Sequence, residues 1–208
     1  MVQIYIHGLG QTSDSWEKTF SLFEGKKDII YPNLADLVKF QEVNYENLYS
    51  AFSDLCDKSG ELVDLCGLSL GGILALNYAI DYPDKVHSLI LIATQYKMPK
   101  RLLQFQNMIF NLMPNHVFQS TGFGKKDFMT LCKSMMELDF SESIDKITCP
   151  VLVVHGESDY ANKKASMKLA NILINSELKE IAGSGHEVNI DAPEKLAKLL
   201  YVFYEQIS

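Results

Sequence analysis

A chain of 208 residues, 47% apolar and 22% charged, has room for one packed core and the make-up of an ordinary globular protein. Nineteen Lys and Arg against 26 Asp and Glu leave a formal charge of −7, which argues against general nucleic-acid binding and against docking on anionic lipid headgroups. No run approaches the ~18 apolar residues of a membrane span. Met1 leads straight into Val2-Gln3-Ile4-Tyr5-Ile6, without the basic start and long apolar stretch of an export signal, so a cytoplasmic chain is expected.

Short apolar strands are expected at 2–6, 28–31, 62–66, 86–93, 150–155 and 178–181. Runs such as Leu89-Ile90-Leu91-Ile92 and Val151-Leu152-Val153-Val154 fit strands buried on both faces. Helices are expected between them. The first, over 14–23, opens after good N-cap residues. A second, over 45–58, carries Leu48, Ala51, Phe52 and Leu55 on one face and stops at Ser59-Gly60. Three more are expected over 70–82, 163–174 and 193–206, the last with Pro193 in its first turn. Alternating strands and helices predict an α/β fold, a mostly parallel six-stranded sheet flanked by helices.

One stretch breaks the alternation. Over 95–140 no convincing strand occurs, and two or three helices with apolar faces are expected instead. A long insert in a compact α/β domain is usually a lid or a binding element. Six of the eight methionines fall here: Met98, Met108, Met113, Met129, Met135 and Met136. Met adapts to varied apolar shapes, and Met108, Met113 and Met135 are the candidates for a substrate pocket.

Cys56, Cys66, Cys132 and Cys149 form no Cys-x-x-Cys pair and no zinc-site spacing with histidine. Four free thiols are expected, with no metal and no cofactor. No phosphate-binding G-x-x-x-x-G-K-[ST] loop exists, since Gly122-Phe123-Gly124-Lys125-Lys126 lacks both the spacing and the preceding strand.

Gly67-Leu68-Ser69-Leu70-Gly71 is a G-x-S-x-G pattern between a predicted strand and a predicted helix. The pattern has a mechanical basis. A serine raised above the sheet needs a sharp strand-to-helix turn, and that turn requires small residues two positions before and after it. His7-Gly8-Leu9-Gly10 closes the first strand in a Gly-rich loop. Such a loop can aim a backbone N–H at the oxyanion that acyl transfer creates. Leu9 N–H and Leu70 N–H are the candidate donors, and His7 is expected to tie the loop down. Among the five histidines, His186 stands in a loop after the last strand and is the candidate general base. Asp159, just past the fifth strand, is the candidate acid that orients it, with Glu157 and Asp191 as competitors.

The order Ser69, Asp159, His186, with the His7-Gly8-Leu9-Gly10-Gln11 loop, the serine turn, Gly156-Glu157-Ser158-Asp159 and Gly185-His186, resembles the α/β-hydrolase fold family over nearly the whole chain. The resemblance implies a serine hydrolase of the esterase type with a short helical lid. It also implies a minimal core, because the chain opens at the strand that precedes the oxyanion loop. The expected substrate is a small-molecule, largely apolar ester or thioester. C–C bond hydrolysis, aminopeptidase action and a menaquinone-pathway type of elimination remain open on this fold, as does a non-catalytic small-molecule receptor.

Overall fold

A computed structural model describes residues 1–22 and 28–207. Its single sheet has six strands: β1 (Val2–Ile6), β2 (Ile29–Ile30), β3 (Val63–Leu68), β4 (Val86–Ile92), β5 (Val151–Gly156) and β6 (Ser176–Ile181). Their spatial order is β2-β1-β3-β4-β5-β6, and every neighbouring pair is parallel. The helices are α1 (Glu17–Phe20), α2 (Leu34–Leu37), α3 (Tyr45–Ser59), α4 (Leu70–Asp81), α5 (Lys100–Leu112), α6 (Lys125–Met135), α7 (Lys163–Ile172), α8 (Val188–Asp191) and α9 (Pro193–Ile207).

The continuous apolar runs are explained by side chains alternating between two covered faces. Ile4, Ile6, Leu65, Leu89, Leu91, Val151 and Val153 join the core shared with α3, α4 and α6. Tyr5, Cys66, Leu68, Ile90, Ile92, Leu152 and Val154 join Trp16 and the inner face of α9 on the other side. Helix α4 lies on β3 and β4 and is buried nearly all round, so it has no polar face to reveal it as amphipathic. Helix α3 starts where the Asn44 side chain accepts from Asn47 N–H at 2.9 Å, and it ends at Gly60.

The expected elements differ from the observed ones mainly at their ends. The 14–23 helix opens as a 3-10 turn over Ser13–Trp16 and continues as α1, while Phe23 lies outside the described residues. Helix α7 stops two residues early because Leu173 turns extended. The insert consists of α5, a 3-10 stretch over Asn115–Thr121 and α6. Its two ends are pinned together. Met98 N–H donates to Leu138 O at 3.0 Å, Phe140 N–H donates to Tyr96 O at 2.9 Å, and Lys97 pairs with Asp139 at 2.6 Å. The four cysteines are free thiols. Among the described residues no helix is long and apolar enough to cross a membrane.

Candidate active site

Ser69 lies between the last residue of β3 and the first of α4, with φ 52° and ψ −112°. This backbone is strained for a residue with a side chain, at a cost on the order of 1–3 kcal/mol. The surrounding contacts impose it. A Cβ on Gly67 would lie 2.3 Å from Gly71 O, and one on Gly71 would lie 2.3 Å from Ile6 O. Only bare backbone lets strand, helix and β1 approach so closely. A serine before a helix usually caps it through its hydroxyl. Ser69 makes no such bond, and it lines a cavity of about 460 Å³ at the C-terminal end of the sheet.

The same cavity is lined by His186, Asp159, Leu9 and Leu70. His186 Nδ1 is 2.9 Å from Asp159 Oδ2. Asp159 is buried, and burial pushes its carboxyl up. The hydrogen bonds from His186 and Asn162 outweigh that and hold it below the usual carboxylate range. An ionised Asp159 keeps the proton on Nδ1 and leaves the lone pair on Nε2. The two competing acids are occupied elsewhere. Glu157 accepts from Gly183 N–H at 2.8 Å, and Asp191 accepts from Gly185 N–H at 2.7 Å, so both shape the loop that carries His186. Close approach joins that loop to β5, since a Cβ on Gly156 would lie 2.0 Å from Gly185 O.

The N–H groups of Leu9 and Leu70 have no protein acceptor among the described residues. His7 is buried behind the Leu9 loop. Its Nδ1–H donates to Gly8 O at 2.8 Å and its Nε2 accepts from Leu34 N–H at 3.0 Å. Burial lowers its pKa, which favours the neutral ring these bonds require. His155 likewise bonds its neighbour's carbonyl, Gly156 O, at 3.0 Å.

Two hydrogen-bond groups brace these loops through pairings that the sequence does not mark. Gln11 and Asn189 pair their amides reciprocally at 3.1 and 3.2 Å, and Gln11 also donates to Glu187 at 3.1 Å. This pairing ties the Leu9 loop to the segment after His186 across 178 residues. Beside the acid, Asn162 Nδ2 donates to both Asp159 oxygens at 2.9 and 3.0 Å, and Gln95 Nε2 donates to Asn162 Oδ1 at 2.8 Å.

The outer wall of the cavity comes from the insert and is mainly apolar, with Gln106 its one polar residue on α5. Leu102, Phe105 and Ile109 of α5 face Met98, Cys132 and Met135. Of the three methionines expected at a substrate pocket, Met135 lines this cavity, whereas Met108 turns to solvent at 55% exposure and Met113, just past α5, packs on the core. Met98, by contrast, lines the cavity. Methionine content flagged the insert but carried no information on how α5 is rotated. Burial pushes the Cys132 thiol up to about 12, so it stays protonated and does not compete as a nucleophile. Among the described residues that line this cavity there is no Lys or Arg. A larger depression of about 870 Å³ on the insert, beside Lys125, Lys126 and Lys133, holds none of the candidate catalytic residues.

Ser69 on its strained turn, the His186–Asp159 pair and the Leu9 and Leu70 N–H groups thus meet at one cavity above the parallel sheet. The chain belongs to the alpha/beta hydrolase family, whose model matches residues 4–199. It is 24% identical over 164 residues to the monoacylglycerol lipase ABHD6 of Mus musculus, a match that covers 69% of this chain. The chain spans about half the length of the curated relatives it matches, 49% of the mouse protein. The solved structure of MenH from S. aureus superposes with a TM-score of 0.82 at 18% identity, covering 100% of this chain and 94% of that one. The enol-lactonase from Burkholderia xenovorans LB400 superposes at 0.83 and 15% identity, with 98% and 91% covered. At these identities the two structures speak for the fold alone.

Proposed function

We propose that the protein is a serine hydrolase that cleaves a small, largely apolar carboxylic ester or thioester through an acyl-enzyme. The observation that carries this reading is the convergence in one cavity of Ser69 on its strained turn, the His186–Asp159 pair and two N–H groups without protein partners. Ser69 Oγ attacks the carbonyl carbon while His186 Nε2 takes its proton. The oxyanion settles on the N–H groups of Leu9 and Leu70. The tetrahedral intermediate collapses, the C–O or C–S bond breaks, and His186 returns the proton to the leaving alkoxide or thiolate. Water, deprotonated by His186, then releases the acid and restores Ser69. Asp159 holds the ring in the tautomer that each step needs.

Residues 95–140 act in this reading as a lid whose underside binds the acyl group. The apolar wall of α5, Met98 and Met135 supports an uncharged acyl chain. The absence of Lys and Arg from the lining speaks against an elimination on a carboxylated substrate, which needs cationic clamps. The name of the curated relative, a monoacylglycerol lipase, is consistent with ester chemistry.

The test is a series of p-nitrophenyl esters of rising acyl length, given to the purified protein and to Ser69→Ala. Turnover abolished in the variant, with an optimum set by chain length, is the expected result. Equal turnover in both proteins rejects the mechanism. Preference for charged over alkyl acyl groups rejects the substrate class.

A further inference from the structure

The acid arm of the site holds a residue that neither the motif nor the family pattern names. Asn162 lies one helical turn beyond Asp159, just before α7. Its backbone N–H and its side-chain Nδ2 both donate to Asp159, at 3.3 Å to Oδ1 from the backbone and at 2.9 and 3.0 Å to the two oxygens from the amide. The same Nδ2 is 3.1 Å from His186 Nδ1. A side-chain amide is nearly symmetric in shape, so its direction is decided by its partners. With Nδ2 toward Asp159, the carboxylate receives donors from two sides and keeps the His186 Nδ1–H. Turned over, Asn162 would present Oδ1 to a carboxylate that cannot donate. Oδ1 would then compete with Asp159 for the His186 Nδ1–H and draw the ring away from it.

The Asp159 carboxylate draws Nδ2 toward itself, and on the other side Gln95 Nε2–H donates to Asn162 Oδ1 at 2.8 Å, which reinforces that direction and holds Oδ1 away from Asp159. Gln95 follows Ala93 and Thr94 at the end of β4, where the chain leaves the sheet for the insert. Ala93 there has φ 51°. Gln95 and Asn162 are both half-buried at the cavity wall. The first residues of the insert are thus bonded to the arm that carries the acid.

We infer that Asn162, with its amide direction reinforced by Gln95, is a positioning residue that keeps the Asp159 carboxylate turned to His186 and couples the root of the insert to the order of the catalytic groups. It acts through Asp159 and does not touch the reacting atoms. The inference rests on the triad reading given under Proposed function.

The experiment uses the whole chain as wild type, Asn162→Ala, Gln95→Ala, Gln95→Glu and the double variant Gln95→Glu/Asn162→Ala. Two quantities are read: kcat and KM on the best p-nitrophenyl ester, and the rate at which a fluorophosphonate probe labels Ser69. Asn162→Ala is expected to lower kcat and the labelling rate about 10- to 100-fold, as for other groups that orient a reactive residue through a neighbour, with KM within about threefold. Gln95→Glu is the sharper probe. A carboxylate at 95 can only accept, so it attracts Nδ2 and turns the amide over. It is expected to cost several-fold more than Gln95→Ala. In the Asn162→Ala background the same change is expected to cost less than about twofold, because no amide remains to turn.

Persistence of the Gln95→Glu loss in that background would show that the added charge, and not the amide, is responsible, and would overturn the inference. So would an Asn162→Ala kcat within about twofold of wild type, or a loss confined to KM. A wild-type chain that neither hydrolyses any ester nor labels at Ser69 rejects the hydrolase reading and this inference with it. An active wild type with indifferent variants rejects this inference alone.

Discussion

The two walls of the cavity are built differently. On the sheet side, every residue of β3 from Val63 to Leu68 is buried, as is every residue of β5 from Val151 to Gly156. On the insert side, α5 buries only Leu103 and leaves Phe105, Met108 and Leu112 exposed at 55%, 55% and 80%. A strand covered on both faces has one register, and any slip puts its side chains on the wrong face. The loops at its end inherit that definition, and they carry Ser69, Asp159 and the Leu9 N–H. A helix held along one narrow stripe has a less determined rotation and position. The rigid wall therefore suits bond chemistry, where misplacement by an ångström is costly. The insert suits recognition of apolar groups, where it is not.

Substitutions that remove a group from the rigid wall should have the largest effects. Ser69→Ala is expected to lower ester turnover on the order of 10⁴- to 10⁶-fold with the thermal midpoint within a few degrees of wild type. Asp159→Asn should follow at about 10⁴-fold, because the ring can then settle in the wrong tautomer. Either variant retaining a tenth of the activity would break the division of labour between the walls. Leu91→Ala, buried near the C-terminal end of β4, should cost about 2–5 kcal/mol in urea denaturation. Phe105→Ala on α5 should change KM and the preferred acyl length about tenfold while leaving kcat for the shortest ester nearly intact. A comparable fall in kcat would place α5 with the chemistry. Leu112→Ser, at 80% exposure, should stay within about 0.5 kcal/mol of wild-type stability.

Two buried groups of the sheet-side wall link stability to pH. His7, buried beneath the Leu9 loop, has its pKa lowered in the fold. The unfolded chain takes up the proton first, near pH 6.5, so stability should fall as pH drops below that value. Asp159 has its pKa lowered as well, and the stability from its bonds is complete above the ordinary carboxylate range and lost as pH falls below it. Urea midpoints between pH 7.5 and 5.5 should therefore decline in the wild type and decline less in His7→Gln. Parallel slopes would mean that His7 is not the group responsible.

The legible part of the site is the part encoded by neighbours in the chain. Ser69 announces itself because the turn that raises it needs Gly67 and Gly71 within two residues. His186 and Asp159 follow from their places just past predicted strands. Gln11 stands in the loop motif, but its pairing with Asn189 has no such signature, and neither has that of Gln95 with Asn162. Each is an amide whose partner lies 178 or 67 residues away. Such pairs exist only once the strands are side by side. The expectation that Met108 and Met113 line the pocket went astray for a related reason. Composition says that a helix has apolar residues to spare, but its packing on α6 and the core decides which of them turn inward.

By itself, then, the sequence determined the α/β alternation, the two-faced burial of the central strands and the parallel six-stranded sheet, and it named Ser69, Asp159 and His186 as candidates. These follow from short-range sterics and from a period of two that leaves each strand one choice of face. The tertiary structure alone decided which amides brace the loops, and that Leu102, Phe105, Ile109 and Met98 meet at the cavity while Met108 meets water. Those outcomes depend on contacts between distant segments and on the rotation of one helix, which packing fixes and local sequence does not.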